Sequence, residues 1–424
     1  MLKKRLRRFF CAWKSVSLSN LLFSKGLVMR LFTAICFISF SIFSSQSAFA
    51  QSDTKQQSAD DSQFMHTIKS TVLNEERTVV VQLPKSYQAE SNKVYPVIYR
   101  LDGAGNIPLA SAVIERLQND NRAPEVIIVA IENTNRLRDF YPTVNKEPQG
   151  PVGEGGGATT FLAFFEQELI PLVNKNYRTH DYKVIAGASA GGVFALYALQ
   201  AKPELFQAHI AYSPAVWWNY GAMVKSTKSF IAKTKDLNSY VYTNIGEEAG
   251  IMRERYDELQ QSLQSHKVQG LRFFSDAFDG ISHGLTSAAG VFNAYYNLFL
   301  PKQMPISALT DDVVSIDAYY QNLSQQWGEQ VSPPDRAVRL LGYNLTDNQQ
   351  FERAIEVFKY NIKNHPKSVS AISALSYGYE MQGNISQALA HMKSALAIAD
   401  DSYPYINYLK ETKVRLQAEF DKRN

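Results

Sequence analysis

Residues 182–196, YKVIAGASAGGVFAL, decide how this chain folds. Five residues rich in β-branched and apolar side chains read as a buried strand, and Val193 onward reads as a helix. Between them Gly187-Ala188-Ser189-Ala190-Gly191 must reverse the chain within a few residues. A turn this sharp forces strained backbone angles on its central residue. It also brings neighbouring segments so close that only glycine fits on either side. The side chain so presented is a serine, lifted off the sheet edge at the head of a helix whose amide dipoles point towards it. The reading without chemistry is a glycine-rich strand-to-helix turn with an incidental serine.

Outward from that turn, β-branched runs at 77–83, 94–101, 126–131, 208–212, 240–245 and 271–277 alternate with helical patterns. Several runs are continuously apolar, as strands covered on both faces should be. The spacing predicts an α/β fold with a mostly parallel sheet over residues 66–303. Apolar pairs at helical intervals predict an amphipathic helix over 158–176, kinked at Pro171.

A nucleophilic serine needs a base, and in a fold of this type the acid and the histidine follow it in that order. Of seven histidines, His66, His180 and His209 precede the serine or lie too near it, His266 ends an amphipathic helix, and His365 and His391 fall in C-terminal helices. His283 remains, in a polar loop after the last strand. The orienting carboxylate is expected at the end of the 240–245 strand. Glu248 is favoured, Glu247 competes closely, and Asp276 and Asp279 stand behind; a dyad without an acid is the further option. An oxyanion needs two donors. The Ala190 amide follows the nucleophile, and Gly103 or Ala104, in the loop after the 94–101 strand, is expected to supply the second. Trp217 is a candidate wall of the acyl pocket and Arg136 a candidate contact for an anionic substrate, each with core packing or ion pairing as its plainer reading. Gly150 to Gly157 has no Lys-Ser/Thr pair after it, so it reads as a mobile loop beside the site and not as a phosphate cradle. No metal site and no cofactor is implied.

Taken together, YPVIYRLDG (95–103), RLRDFYPT (136–143), GASAGG (187–192), SPAVWW (213–218) and the late His283 resemble the putative-esterase family of α/β-hydrolases. That family includes esterase D, the enterobactin-type siderophore trilactone esterases and the mycolyltransferases. The resemblance spans roughly residues 66–300. It implies an α/β-hydrolase fold and a carboxylic-ester hydrolase with Ser189 as nucleophile and His283 as base. The sequence departs from many relatives in having no acidic residue before His283 and in carrying C-terminal repeats.

The termini differ in character. Residues 1–50 hold eight basic and no acidic residues, and the apolar run at 31–43 precedes Ala48-Phe49-Ala50, a small-x-small cleavage pattern. This reads as a signal peptide, with Met29 as the expected start, and predicts an exported, periplasmic or secreted protein. Its removal leaves 36 basic against 40 acidic residues, net −4, which gives no reason to propose a nucleic-acid partner. Both cysteines, Cys11 and Cys36, leave with it, excluding disulfides and thiolate chemistry in the mature chain. Residues 51–65 read as a flexible linker and 304–334 as a helical linker. Over 335–424, Leu341, Ala354, Phe358 and Pro366 recur thirty-four residues later as Leu375, Ala388, Met392 and Asp400, a period resembling tetratricopeptide helix pairs. The whole predicts an exported serine esterase for a small ester. The alternatives are a cell-envelope acyltransferase and an inert hydrolase fold that binds a protein partner through its repeats.

Overall fold

The computed structural model describes residues 62–303, 313–328 and 330–423, with a two-residue strand at Gln56–Gln57. The expected leader, both cysteines, most of the expected 51–65 linker and residues 304–312 of the expected helical linker lie outside these residues.

Nine strands form one sheet: β1 (Gln56–Gln57), β2 (Gln63–Ser70), β3 (Glu75–Gln82), β4 (Tyr95–Arg100), β5 (Ile127–Ile131), β6 (Thr179–Ala188), β7 (Ala208–Tyr212), β8 (Asp236–Ile245) and β9 (Gln269–Ala277). Their order is β1-β2-β3-β5-β4-β6-β7-β8-β9. From β5 to β9 all neighbours are parallel, whereas β1, β2 and β3 join antiparallel at one edge. The central strands β4, β5 and β7 are buried at every position, which is why their sequences are mostly apolar, with Arg100 and His209 the buried polar exceptions.

Strand β2 begins at Gln63, inside the segment expected to be a flexible linker. It lies one strand in from the antiparallel edge, with only Phe64, Ile68 and Ser70 buried. Its sequence is therefore mostly polar and resembles the leader remnant before it. Residues 158–176 are helical as expected, but the irregularity is a π turn over Phe165–Leu169 between the helices Ala158–Phe164 and Ile170–Asn176. Pro171 has no N–H for the preceding turn, and the widened turn accommodates it.

Helices cover both faces. On one, Ala158–Phe164, Ala190–Ala201, Trp218–Lys233 and Ile251–Gln264 pack their apolar sides on Val97, Tyr99, Val129 and Ile185. On the other, Ile107–Asn119, Thr286–Phe299 and Val313–Trp327 pack on Ile98, Ile128, Val184 and Tyr242. This second core extends into the C-terminal helices: Val338 and Leu341 of Asp335–Asp347, and Val357 and Tyr360 of Phe351–Asn364, belong to it. Three helices follow, Val369–Met381, Ile385–Ile398 and Ile406–Arg423. The small residues of the thirty-four-residue pattern sit where helices approach: Ala354 and Ala388 are fully buried, and a Cβ on Gly342 would lie 2.2 Å from the Phe358 ring. No helix among the described residues is long and apolar enough to cross a membrane.

Candidate active site

Ser189 stands between β6 and the helix Ala190–Ala201 with φ 56° and ψ −117°. A non-glycine residue there costs on the order of 1–3 kcal/mol, so the turn must be over-determined by its surroundings. It is held by Ser189 N donating to Tyr212 O (2.9 Å) and by Ala215 N donating to Ser189 O (3.1 Å). Of the neighbouring glycines, Gly187 is required by space and Gly192 is tightly packed. A Cβ on Gly187 would lie 2.5 Å from the Gly191 backbone, and one on Gly192 would lie 3.1 Å from Pro214.

Four consecutive parallel strands end along this edge. Ser189 follows β6, Ser213 follows β7, Glu248 lies just beyond β8, and His283 lies in the loop after β9. Glu248 Oε1 is 2.7 Å from His283 Nδ1, and Ser213 donates its hydroxyl to the same oxygen. The other oxygen, Oε2, accepts from Gly246 N at 2.6 Å. Burial alone would raise the Glu248 carboxyl. The hydrogen bonds from Ser213, His283 and the backbone outweigh it and hold the group below the usual carboxylate range. Glu247 is exposed and Asp279 is exposed. Asp276 is engaged elsewhere, by Tyr242 Oη at 2.5 Å and Asn293 Nδ2 at 3.0 Å. The structure thus brings Glu248 and His283 together. It leaves the half-buried Ser189 on the same edge with no hydrogen bond to His283 Nε2 among the described residues, an arrangement common before a substrate tightens the site.

Three of the other histidines are accounted for by packing. His209 lies in the core beside Ser239, and burial pushes its imidazole down to about 3. His365 meets Pro333 O at 2.6 Å, and His391 stacks on Tyr379.

Several expected contacts are corrected. Gly103 cannot serve as an oxyanion donor in this conformation, because its N–H donates to Ile131 O at 3.0 Å. The Ala104 N–H is held by Glu132 Oε1 at 2.8 Å. The Ala190 amide heads its helix, where no intrahelical acceptor is available to it. Arg136 faces the turn itself. Its guanidinium donates to Asp102 Oδ1 (2.6 Å) and to Ala188 O (2.9 Å), bracing the backbone just before Ser189. Trp218 is core, stacked on Tyr141 with ring centroids 3.7 Å apart, whereas Trp217 is half-buried against Gly150. The glycine-rich stretch is a bonded hairpin and not a free loop: Asn145 N donates to Glu154 O (2.8 Å), Gly153 N to Asn145 O (2.9 Å) and Gly156 N to Tyr141 O (2.9 Å).

Sequence reasoning did not single out Ser213, Asn244 or Glu132 for the site. Asn244 alone carried a signal, as an amide within an otherwise apolar strand end.

With this geometry in place, the relatives are informative. Residues 70–272 match the family model described as "Putative esterase". The chain is 32% identical over 238 residues to the ferri-bacillibactin esterase BesA of Bacillus subtilis (strain 168), spanning 50% of this chain and 81% of that protein. The chain belongs to the putative-esterase family. Membership in that family makes it a hydrolase acting on esters. A siderophore triacetylfusarinine C esterase of Aspergillus fumigatus is 32% identical over 152 residues, covering 33% of this chain and 51% of that protein. Among solved structures, an IroE-like serine hydrolase from Shewanella oneidensis superposes with a TM-score of 0.57 at 25% identity, over 70% of this chain and 98% of that one. An uncharacterised protein from Capnocytophaga ochracea shares the fold over 84% of this chain and 99% of its own length, with a TM-score of 0.57 at 18% identity.

Proposed function

We propose that this protein is an exported serine esterase that hydrolyses a small ester of the siderophore type through an acyl-enzyme on Ser189. The observation that carries the reading is the Glu248–His283 pair on the strand edge that also presents the strained Ser189 turn. The names of relatives that act on ferri-bacillibactin and triacetylfusarinine C support the substrate class.

In this reading Glu248 holds the Nδ1 proton of His283, which leaves Nε2 to accept the Ser189 hydroxyl proton as Oγ bonds to the ester carbonyl carbon. The resulting oxyanion takes the Ala190 amide and, once the Glu132 carboxylate swings aside, the Ala104 amide. Collapse breaks the carbon–oxygen ester bond, and His283 returns its proton to the departing alcohol. Water, deprotonated by His283, then releases the acid and restores Ser189. Trp217 is proposed as one wall of the acyl pocket. Residues 1–50 are proposed as the export signal, 66–303 as the catalytic domain, 304–334 as a helical linker and 335–424 as tetratricopeptide-like repeats.

The test is to incubate the protein from residue 51 onward with a ferric catecholate trilactone, its iron-free form and p-nitrophenyl acetate, and to resolve products by mass spectrometry. Ring-opened and monomeric acids from the trilactone are expected. Cleavage of none of these esters by folded protein would overturn the proposal.

A further inference from the structure

Ser213 is fully buried and has φ 37°, a second strained serine one strand away from Ser189. Its backbone is clamped by Asn244: Ser213 N donates to Asn244 O at 3.0 Å and to Asn244 Oδ1 at 2.9 Å. The strained backbone aims the hydroxyl between the two groups of the proposed acid–base pair. Oγ donates to Glu248 Oε1 and lies 3.1 Å from His283 Nδ1.

A serine hydroxyl has one proton to give, and the charged oxygen takes it in preference to a neutral imidazole nitrogen. With that proton committed to Glu248, Ser213 Oγ turns only lone pairs towards Nδ1. Nδ1 then faces acceptors alone, Glu248 Oε1 and Ser213 Oγ, so the imidazole proton sits there. The lone pair is left on Nε2, where a base needs it. Since Gly246 N holds Oε2, the carboxylate is fixed at both oxygens.

Asn244 extends the device. Fully buried, it donates Nδ2 to Thr286 O at 2.8 Å, and Thr286 Oγ1 donates to His283 O at 2.8 Å. One amide side chain thus ties the Ser213 turn to the turn that carries the imidazole. The helix Thr286–Phe299 makes room for it with a glycine, since a Cβ on Gly290 would lie 2.1 Å from Asn244 Nδ2.

We propose that Ser213, bracketed by Asn244, is a positioning residue that fixes the Glu248 carboxylate and the His283 tautomer. This rests on the assignment of His283 as general base. The experiment is a double-mutant cycle between Ser213 and Glu248 with p-nitrophenyl acetate as substrate. Ser213→Gly removes the hydroxyl and tolerates the positive φ, and Ser213→Ala removes it without freeing the backbone. Both are expected to lower kcat about tenfold with KM within about twofold. In a Glu248→Gln background, Ser213→Gly should cost less than about twofold, because the charged carboxylate it fixes is already gone. The downfield Nδ1 proton resonance of His283 should move in Ser213→Gly. Equal losses in both Glu248 backgrounds, a loss confined to Ser213→Ala, or an unmoved resonance would overturn the role and reduce Ser213 to a backbone turn. A fully active Ser189→Ala or His283→Ala would instead overturn the underlying assignment, and is read separately.

Discussion

Glu248 and His283 meet at 2.7 Å across the ends of two neighbouring strands, while Glu247, one residue earlier, is exposed to solvent. Adjacent carboxylates of identical chemistry are thereby separated by backbone direction alone. Glu248→Gln is expected to lower kcat by roughly 10²–10⁴, since the amide no longer stabilises the imidazolium that forms. Glu247→Gln should stay within about twofold. Steady-state kinetics on both variants checks the pair.

The depressed Glu248 carboxyl sets a sign for acid behaviour. A group held below its ordinary value of 4.5 stabilises the fold fully above that value, and the contribution is lost as pH falls through the lower folded value. Stability from this carboxylate is thus intact at pH 5 and above and declines only in stronger acid. Thermal melts of the native protein and Glu248→Gln should differ at pH 7, and the difference should shrink as pH falls below the ordinary carboxylate range. Glu248 should add no limb of its own to the kcat/KM profile above pH 5.

Gly187→Ala places a methyl carbon 2.5 Å from the Gly191 backbone, which has no flexible side-chain end to move aside. The turn must open or the chain must fail to fold. Soluble yield, a thermal melt and hydrolysis are the measurements. The expected result is loss of activity by more than about a hundredfold even in any folded fraction, because displacement of Ser189 by as little as ~1 Å is costly.

Glu132 occupies the Ala104 N–H that the oxyanion is proposed to use. Glu132→Ala removes that competitor, so kcat/KM is expected to rise by a few-fold on a neutral p-nitrophenyl ester. A fall of tenfold or more would mean that the carboxylate contributes to catalysis.

The sheet was legible because its central strands are buried on both faces and read as apolar runs, and the Ser189 turn was legible because two glycines and a serine between strand and helix permit little else. Elimination among seven histidines reached His283, which the structure places in a single 3-10 turn after β9. What stayed hidden was set by contacts distant in sequence. Strand β2 lies one strand in from the edge, and only Phe64, Ile68 and Ser70 of it are buried. Gly103 looked open for an oxyanion, yet Ile131, 28 positions away, takes its N–H. Arg136 read as a candidate contact for an anionic substrate or as an ion-pairing residue, and its partners, Asp102 and the Ala188 carbonyl, lie 34 and 52 positions away. Ser213 opens the SPAVWW stretch, but its role could not be read there, because its partners lie 35 and 70 positions downstream.

The central claim, that Ser189 is the nucleophile, is tested most directly by reacting the folded protein with a fluorophosphonate and mapping the adduct by peptide mass spectrometry. One phosphonyl group on Ser189 is predicted, absent in Ser189→Ala and slowed by more than about a hundredfold in His283→Ala. Label on a different residue, or undiminished ester hydrolysis by Ser189→Ala, would contradict it.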